Sequence, residues 1–177
     1  MIAGDELDQL LGCDEEGRRR WLDRRQPAPP EANWWLQLLL LIDERWEHRV
    51  AERREWARLE IWLLGQAGRR SALGRAEVAE RTAYFVARMR DAGTAASALP
   101  SADAVVRACL DAIPVALDRV AVPADPRSLR SLELDEMRDS RCAKNLLNAA
   151  ERHRAHVEDP DLADRLRAWL AIKPGLV

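Results

Sequence analysis

The stretch WWLQLLLLIDERWEHRVAERREW, residues 34–56, decides the fold predicted for this chain. Its first nine residues contain a single polar side chain, whereas ten of the following sixteen (43–58) are Asp, Glu or Arg. No proline or glycine occurs from residue 31 to residue 64. Apolar residues recur at intervals of three and four, with one gap at Arg53, and form one helical stripe: Trp35, Leu39, Ile42, Trp46, Val50, Ala57, Ile61 and Leu64. We therefore predict one long central helix over about residues 31–65.

Such a helix would be too long for the rest of the chain to cover. At a rise of about 1.5 Å per residue it would extend about 50 Å, against about 30 Å for the diameter of a small domain. Five of the seven tryptophans lie between residues 34 and 62, and exposed aromatic side chains are favoured at protein interfaces. We therefore predict that this helix binds a partner protein or a second copy of the chain, through Trp34, Trp56, Leu59 and Trp62. Trp34 and Trp56 lie on the flanks of the stripe, and Trp62 lies nearly opposite it.

Composition indicates an ordinary globular protein. The 177 residues are 47% hydrophobic and 33% charged, and the formal net charge of −2 gives no general attraction to nucleic acid or to anionic lipid. Three widely spaced cysteines without a CxxC pair predict reduced thiols in a cytoplasmic protein. No apolar stretch reaches the roughly 18 residues needed to span a membrane, so no membrane association is expected.

The rest of the chain also shows helical patterns and turn signals, without the alternation of strands. The segment QPAPPEAN, residues 26–33, is a stiff proline-rich linker. It predicts an N-terminal helical arm and linker over residues 1–30, followed by a bundle domain over residues 31–177. Ser101 and Asp159 are suitable N-caps for later helices, and another helix is expected over about 131–157. We predict an all-α, single-domain bundle of six to eight helices.

The histidines provide the alternative to a partner surface. The chain has three, His48, His153 and His156. His153 falls inside the apolar sector of the helix predicted over 131–157, and His156 lies on the edge of that sector, so the two share a face. His48 falls on the charged side of its own helix. These positions indicate a core histidine hydrogen-bonded to a neighbour, and we predict no metal and no cofactor. A ligand or metal pocket near His153 and His156 remains the alternative.

One dense basic cluster precedes the proline-rich linker. It consists of five arginines around Trp21, namely Arg18, Arg19, Arg20, Arg24 and Arg25. Arginines beside a tryptophan can bind phosphate groups. Four acidic residues lie close enough in sequence to neutralise much of this charge, namely Asp14, Glu15, Glu16 and Asp23. Nucleic-acid binding is therefore not expected.

No motif in the sequence assigns the chain to a family or to a reaction. It has no glycine-rich phosphate loop, no GxSxG turn and no zinc-type cysteine pairing. The leading hypothesis is a non-catalytic module that docks a partner or itself along the tryptophan-rich helix. The alternative is a small helical enzyme or a ligand-binding protein with a core pocket near His153 and His156. These two hypotheses leave enzymatic activity open.

Overall fold

The fold is all-α, as the sequence predicts. A computed structural model describes residues 4–117 and 134–176, and these residues contain eight α-helices and no strand. The chain divides into two compact units, unit 1 (Met1–Gly74) and unit 2 (Arg75–Val177). No helix in the described ranges combines the length and the apolar character needed to cross a bilayer.

Unit 1 contains four α-helices and a short 3-10 turn. The helices are α1 (Gly4–Gly12), α2 (Glu15–Arg25), α3 (Ala32–His48) and α4 (Arg53–Arg69), and the 3-10 turn is Val50–Glu52. Helix α2 begins at a side-chain N-cap, because the Asp14 carboxylate accepts the N–H of Gly17 at 2.7 Å. The core of this unit is rich in leucine and tryptophan.

The predicted continuous helix over residues 31–65 is wrong. Helix α3 ends at His48, the 3-10 turn follows, and α4 starts at Arg53 and packs against α3. The Arg53 guanidinium holds this break, since its Nε donates to the carbonyl oxygen of Trp46 at 3.1 Å and its Nη2 to that of Glu47 at 3.4 Å. These bonds are made to carbonyl groups in the last turn of α3, beyond which the helix supplies no N–H donors. The same guanidinium lies 4.5 Å from the centre of the Trp46 ring.

The predicted N-terminal arm is part of unit 1 rather than an appendage. Four of its apolar residues on α1 and α2 are buried, namely Leu7, Leu10, Trp21 and Leu22. Ion pairs join the same two helices to later residues, namely Asp8 to Arg49 and Asp23 to Arg70. The boundary predicted near residue 30 therefore falls inside a compact unit.

Unit 2 contains the other four α-helices of the described residues. They are α5 (Arg75–Asp91), α6 (Ala102–Ala116), α7 (Leu134–Glu151) and α8 (Pro160–Ile172), with short 3-10 turns at Ala96–Ala98, Arg154–His156 and Lys173–Gly175. Helix α6 packs against α5, α7 and α8, and its apolar face is fully buried at Val106, Leu110 and Ile113.

Two helix starts in unit 2 confirm the predicted N-caps. The Ser101 hydroxyl accepts the N–H of Ala104 at 3.1 Å. The Asp159 carboxylate accepts the N–H groups of Asp161 at 3.0 Å and of Leu162 at 3.2 Å. Helix α7 ends at Glu151, earlier than the predicted residue 157, so His153 and His156 lie on the turn that follows the helix.

Candidate functional site

The predicted partner surface is largely interior. Trp56 and Leu59 are 0% exposed, so neither can contact a partner of the folded chain. The Trp56 indole also donates to the Glu52 carboxylate at 3.2 Å. Trp34 and Trp62 are half-buried. Two of the four predicted contact residues therefore belong to the core, because the break after α3 folds this face inward.

The half-buried Trp34 belongs to an aromatic cluster in unit 1. Its ring centre lies 5.4 Å from that of Trp35, with the two planes at 84°, an edge-to-face arrangement. It lies 6.3 Å from that of Trp21. Trp35 and Trp21 are both buried, so the indole of Trp34 covers the edge of the core.

The basic cluster is occupied by structural contacts. Arg18 donates to the carbonyl oxygens of Leu10 at 3.3 Å and Leu11 at 3.1 Å and so caps the end of α1. Three other arginines of the cluster pair with carboxylates, Arg19 with Glu15, Arg20 with Glu16 and Arg25 with Glu6. Arg24 donates to the carbonyl oxygen of Arg20 at 3.1 Å. A depression of about 490 Å³ beside the cluster is lined by Cys13 and Trp21 and by two of these arginines, Arg20 and Arg24.

The three histidines divide between the units. His48 is exposed at the end of α3 in unit 1, whereas His153 is buried and His156 exposed in unit 2. Among the residues that the structure describes, no group of three His, Cys, Asp or Glu side chains is placed to hold a metal ion. The thiol of Cys109 is also buried, and burial, followed by the charge of Glu80, raises its pKa to about 12.

His153 is the buried polar centre of unit 2. It is 0% exposed, and its Nε2 lies 2.7 Å from the carbonyl oxygen of Ala83 while its Nδ1 lies 3.0 Å from Nη1 of Arg90. A carbonyl only accepts and a guanidinium only donates, so Nε2 carries the proton and Nδ1 accepts. Burial lowers the pKa of His153, and the positive charge of Arg90 lowers it further. The ring is therefore neutral, and both nitrogens are occupied by protein partners.

A cavity of about 420 Å³ lies beside this histidine in unit 2. Three segments form it: the end of α5 with Arg90, residues 99–103 at the start of α6, and residues 155–158 after α7. Asp103 joins two of these segments, because its Oδ1 accepts the backbone N–H of Glu158 at 2.9 Å. The volume falls within the roughly 300–1,000 Å³ range of small-molecule pockets.

Arg90 connects the buried histidine to this cavity. One of its nitrogens donates to His153, and no carboxylate pairs with it among the described residues. The sequence drew attention to His153 and His156, but not to Arg90, Asp103 or Glu158 as site residues. These three come from different segments and share no local spacing, so no sequence pattern could have grouped them.

No protein-family model matches the chain, and neither a curated protein nor a solved structure is significantly similar to it.

Proposed function

We propose that this chain is a helical ligand-binding protein whose cavity in unit 2 takes a small polar molecule. The observation that carries the proposal is Arg90. Its guanidinium is half-buried at the cavity wall and is oriented by a neutral imidazole rather than neutralised by a carboxylate. A guanidinium has five N–H donors, and the described residues engage only one of its nitrogens.

The chemistry of the lining supports a polar ligand. Apolar surface from Leu99, Pro100 and Val157 is combined with charged groups from Arg90, Asp103 and Glu158. A mixture of apolar wall and a few convergent polar groups is typical of small-molecule sites. His156 also lines the cavity and is exposed.

The proposal is tested by screening a fragment library against the isotope-labelled full chain and following backbone amide chemical shifts. We expect bound fragments to shift the amides of residues 99–103 and 155–158. Replacement Ala155→Trp fills the cavity with no change of charge and should abolish these shifts. Ala168→Trp, at an exposed position on α8, is the matched control. A screen in which no fragment shifts the cavity amides would contradict the proposal.

A second candidate function is self-association through unit 1. It retains the docking hypothesis but bases it mainly on two other residues, since Leu40 is 60% exposed on α3 and Val50 is 65% exposed on the following turn. Burying a leucine or valine side chain contributes about 1.5–3 kcal/mol. The half-buried Trp34 adds aromatic surface on the same helix α3.

Sedimentation velocity over a range of protein concentrations tests self-association. We expect a sedimentation coefficient that rises with concentration in the unaltered chain. The rise should be reduced by Leu40→Ser combined with Val50→Ser. Ile172→Ser in unit 2, at a side chain that is 41% exposed, is the control. A single species at all concentrations would remove this candidate and leave the ligand pocket unaffected.

A further inference from the structure

The charges around the cavity in unit 2 restrict the chemical class of the ligand more narrowly than the volume of the cavity does. This inference rests on the proposed ligand-binding function. One guanidinium, Arg90, and two carboxylates, Asp103 and Glu158, line the same space. A purely anionic ligand would meet two like charges, and a purely cationic ligand would meet the unpaired guanidinium, so each is disfavoured by one part of the wall.

The guanidinium of Arg90 is oriented to bind a carboxylate. Its bond to Nδ1 of His153, 3.0 Å long, fixes one edge of the planar guanidinium. The remaining N–H groups have no acceptor among the described residues, and a guanidinium edge binds a carboxylate through two parallel hydrogen bonds. His153 is itself anchored to the carbonyl oxygen of Ala83 at 2.7 Å, so the orientation of Arg90 is set from the core.

The two acidic residues come from segments that a hydrogen bond joins. The Oδ1 of Asp103 accepts the backbone N–H of Glu158, which binds the start of α6 to the segment after α7. The side-chain carboxylate of Glu158 is exposed and has no hydrogen-bond or ion-pair partner among the described residues. The carboxylates of these two lining residues provide acceptors for an ammonium group, which carries three donors.

We propose that the cavity selects a small zwitterion, a molecule with one carboxylate and one ammonium group such as a free α-amino acid. Arg90 binds the carboxylate, and Glu158 with Asp103 binds the ammonium. The apolar residues Leu99, Pro100 and Val157 contact the hydrocarbon part of the ligand.

Three probes of matched shape test this assignment on the full chain. They are L-leucine, 4-methylpentanoate, which lacks the ammonium, and 3-methylbutylamine, which lacks the carboxylate. We expect leucine to bind about tenfold or more tightly than either of the other two, because charge-assisted hydrogen bonds form at both ends. Affinity is measured from the chemical shifts of the cavity amides during titration.

Variants identify which residue binds which end. Arg90→Gln should reduce the affinity for leucine to that for the amine, and Arg90→Lys should restore part of it. Glu158→Gln, at an exposed position that does not endanger folding, should reduce the affinity for leucine towards that for 4-methylpentanoate. Arg75→Gln, on the same helix as Arg90 but outside the cavity, should change none of the affinities.

The possible outcomes separate this inference from the proposed function. Equal binding of leucine and 4-methylpentanoate would overturn the zwitterion assignment in favour of an anion site, and equal binding of leucine and the amine would overturn it in favour of a cation site. If other fragments bind the cavity and none of these three probes does, the assignment fails and the ligand-binding function stands. If no compound binds, both fail.

Discussion

The arginines of unit 1 and Arg90 of unit 2 differ in the groups to which their guanidinium groups donate hydrogen bonds. In unit 1, Arg18 caps a helix end, Arg19 pairs with a carboxylate and Arg53 binds the carbonyl groups at the break after α3. In unit 2, Arg90 binds a neutral imidazole and faces a cavity. The arginines of unit 1 are more densely clustered than Arg90, but they are less available to a ligand. The partner of a charged side chain, rather than the local density of charge, indicates whether it is free to bind a ligand.

The largest loss of stability is expected on replacement of His153, the histidine that orients Arg90. Replacement His153→Ala removes a fully buried ring and its hydrogen bonds to the carbonyl oxygen of Ala83 and to Arg90. We expect a loss of about 2–4 kcal/mol in the free energy of unfolding, measured by urea denaturation. His48→Ala, at an exposed position in unit 1, is the control and should change little. Equal stability of the two variants would show that His153 does not organise unit 2.

The next largest loss of stability is expected on replacement of Arg53 at the break between α3 and α4. Arg53→Ala removes two hydrogen bonds to the carbonyls of Trp46 and Glu47 and the contact with the Trp46 ring. We expect a loss of about 1–2 kcal/mol in the free energy of unfolding. Arg54→Ala, one residue further and exposed, is the matched control. An effect of Arg53→Ala no larger than that of its neighbour would contradict the capping role.

Acidification should affect the same polar centre in unit 2. The pKa of His153 is lowered in the folded chain, chiefly by burial, so below the ordinary histidine pKa of about 6.5 the unfolded chain binds more protons than the folded one. The stability that the neutral ring contributes is present above that pH and is lost progressively as the pH falls towards the folded pKa.

Urea denaturation at pH 7.5 and at pH 5.5 measures this loss. Other groups also titrate between these values, so the informative quantity is the difference from His153→Gln, which keeps a donor and an acceptor but does not titrate. The variant should lose less stability on acidification than the unaltered chain. His48→Gln should lose as much as the unaltered chain does. A variant His153→Gln with unchanged pH dependence would contradict the burial of a neutral ring.

The smallest effects are expected in the basic cluster of unit 1. Arg19→Gln breaks an exposed ion pair with Glu15, in which both side chains are more than half exposed, and should cost less than about 0.5 kcal/mol. Arg18→Gln removes two bonds to carbonyl oxygens at the end of α1 and should cost more. The two free energies of unfolding, compared directly, test whether capping or charge pairing matters in this cluster.

Helix content and several helix starts were accessible from the sequence because their causes are local. Ser101 and Asp159 cap helices through bonds to residues two or three positions away, and such short-range chemistry can be read from residue type and spacing. The burial of His153 followed in the same way from its position within an apolar sector, although α7 ends before it is reached.

The break in the tryptophan-rich segment was not predicted because it needs neither proline nor glycine. It depends on Arg53 reaching back to the carbonyl groups of α3, a contact between side chain and backbone across seven residues. The gap in the apolar stripe at Arg53 was the one local signal. The cavity could not be predicted from the sequence either, because Arg90, Asp103 and Glu158 are brought together by packing of separate segments rather than by spacing along one helix.

The protonation state of His153 tests the central claim most directly, since a neutral ring with its proton on Nε2 is what leaves Arg90 oriented and its charge available. The measurement is the pair of imidazole ¹⁵N chemical shifts of His153 at neutral pH in the full chain. The structure predicts an unprotonated, hydrogen-bonded Nδ1 and a protonated Nε2, with the Nδ1 shift altered in Arg90→Gln. A doubly protonated ring, or a proton on Nδ1, would contradict it.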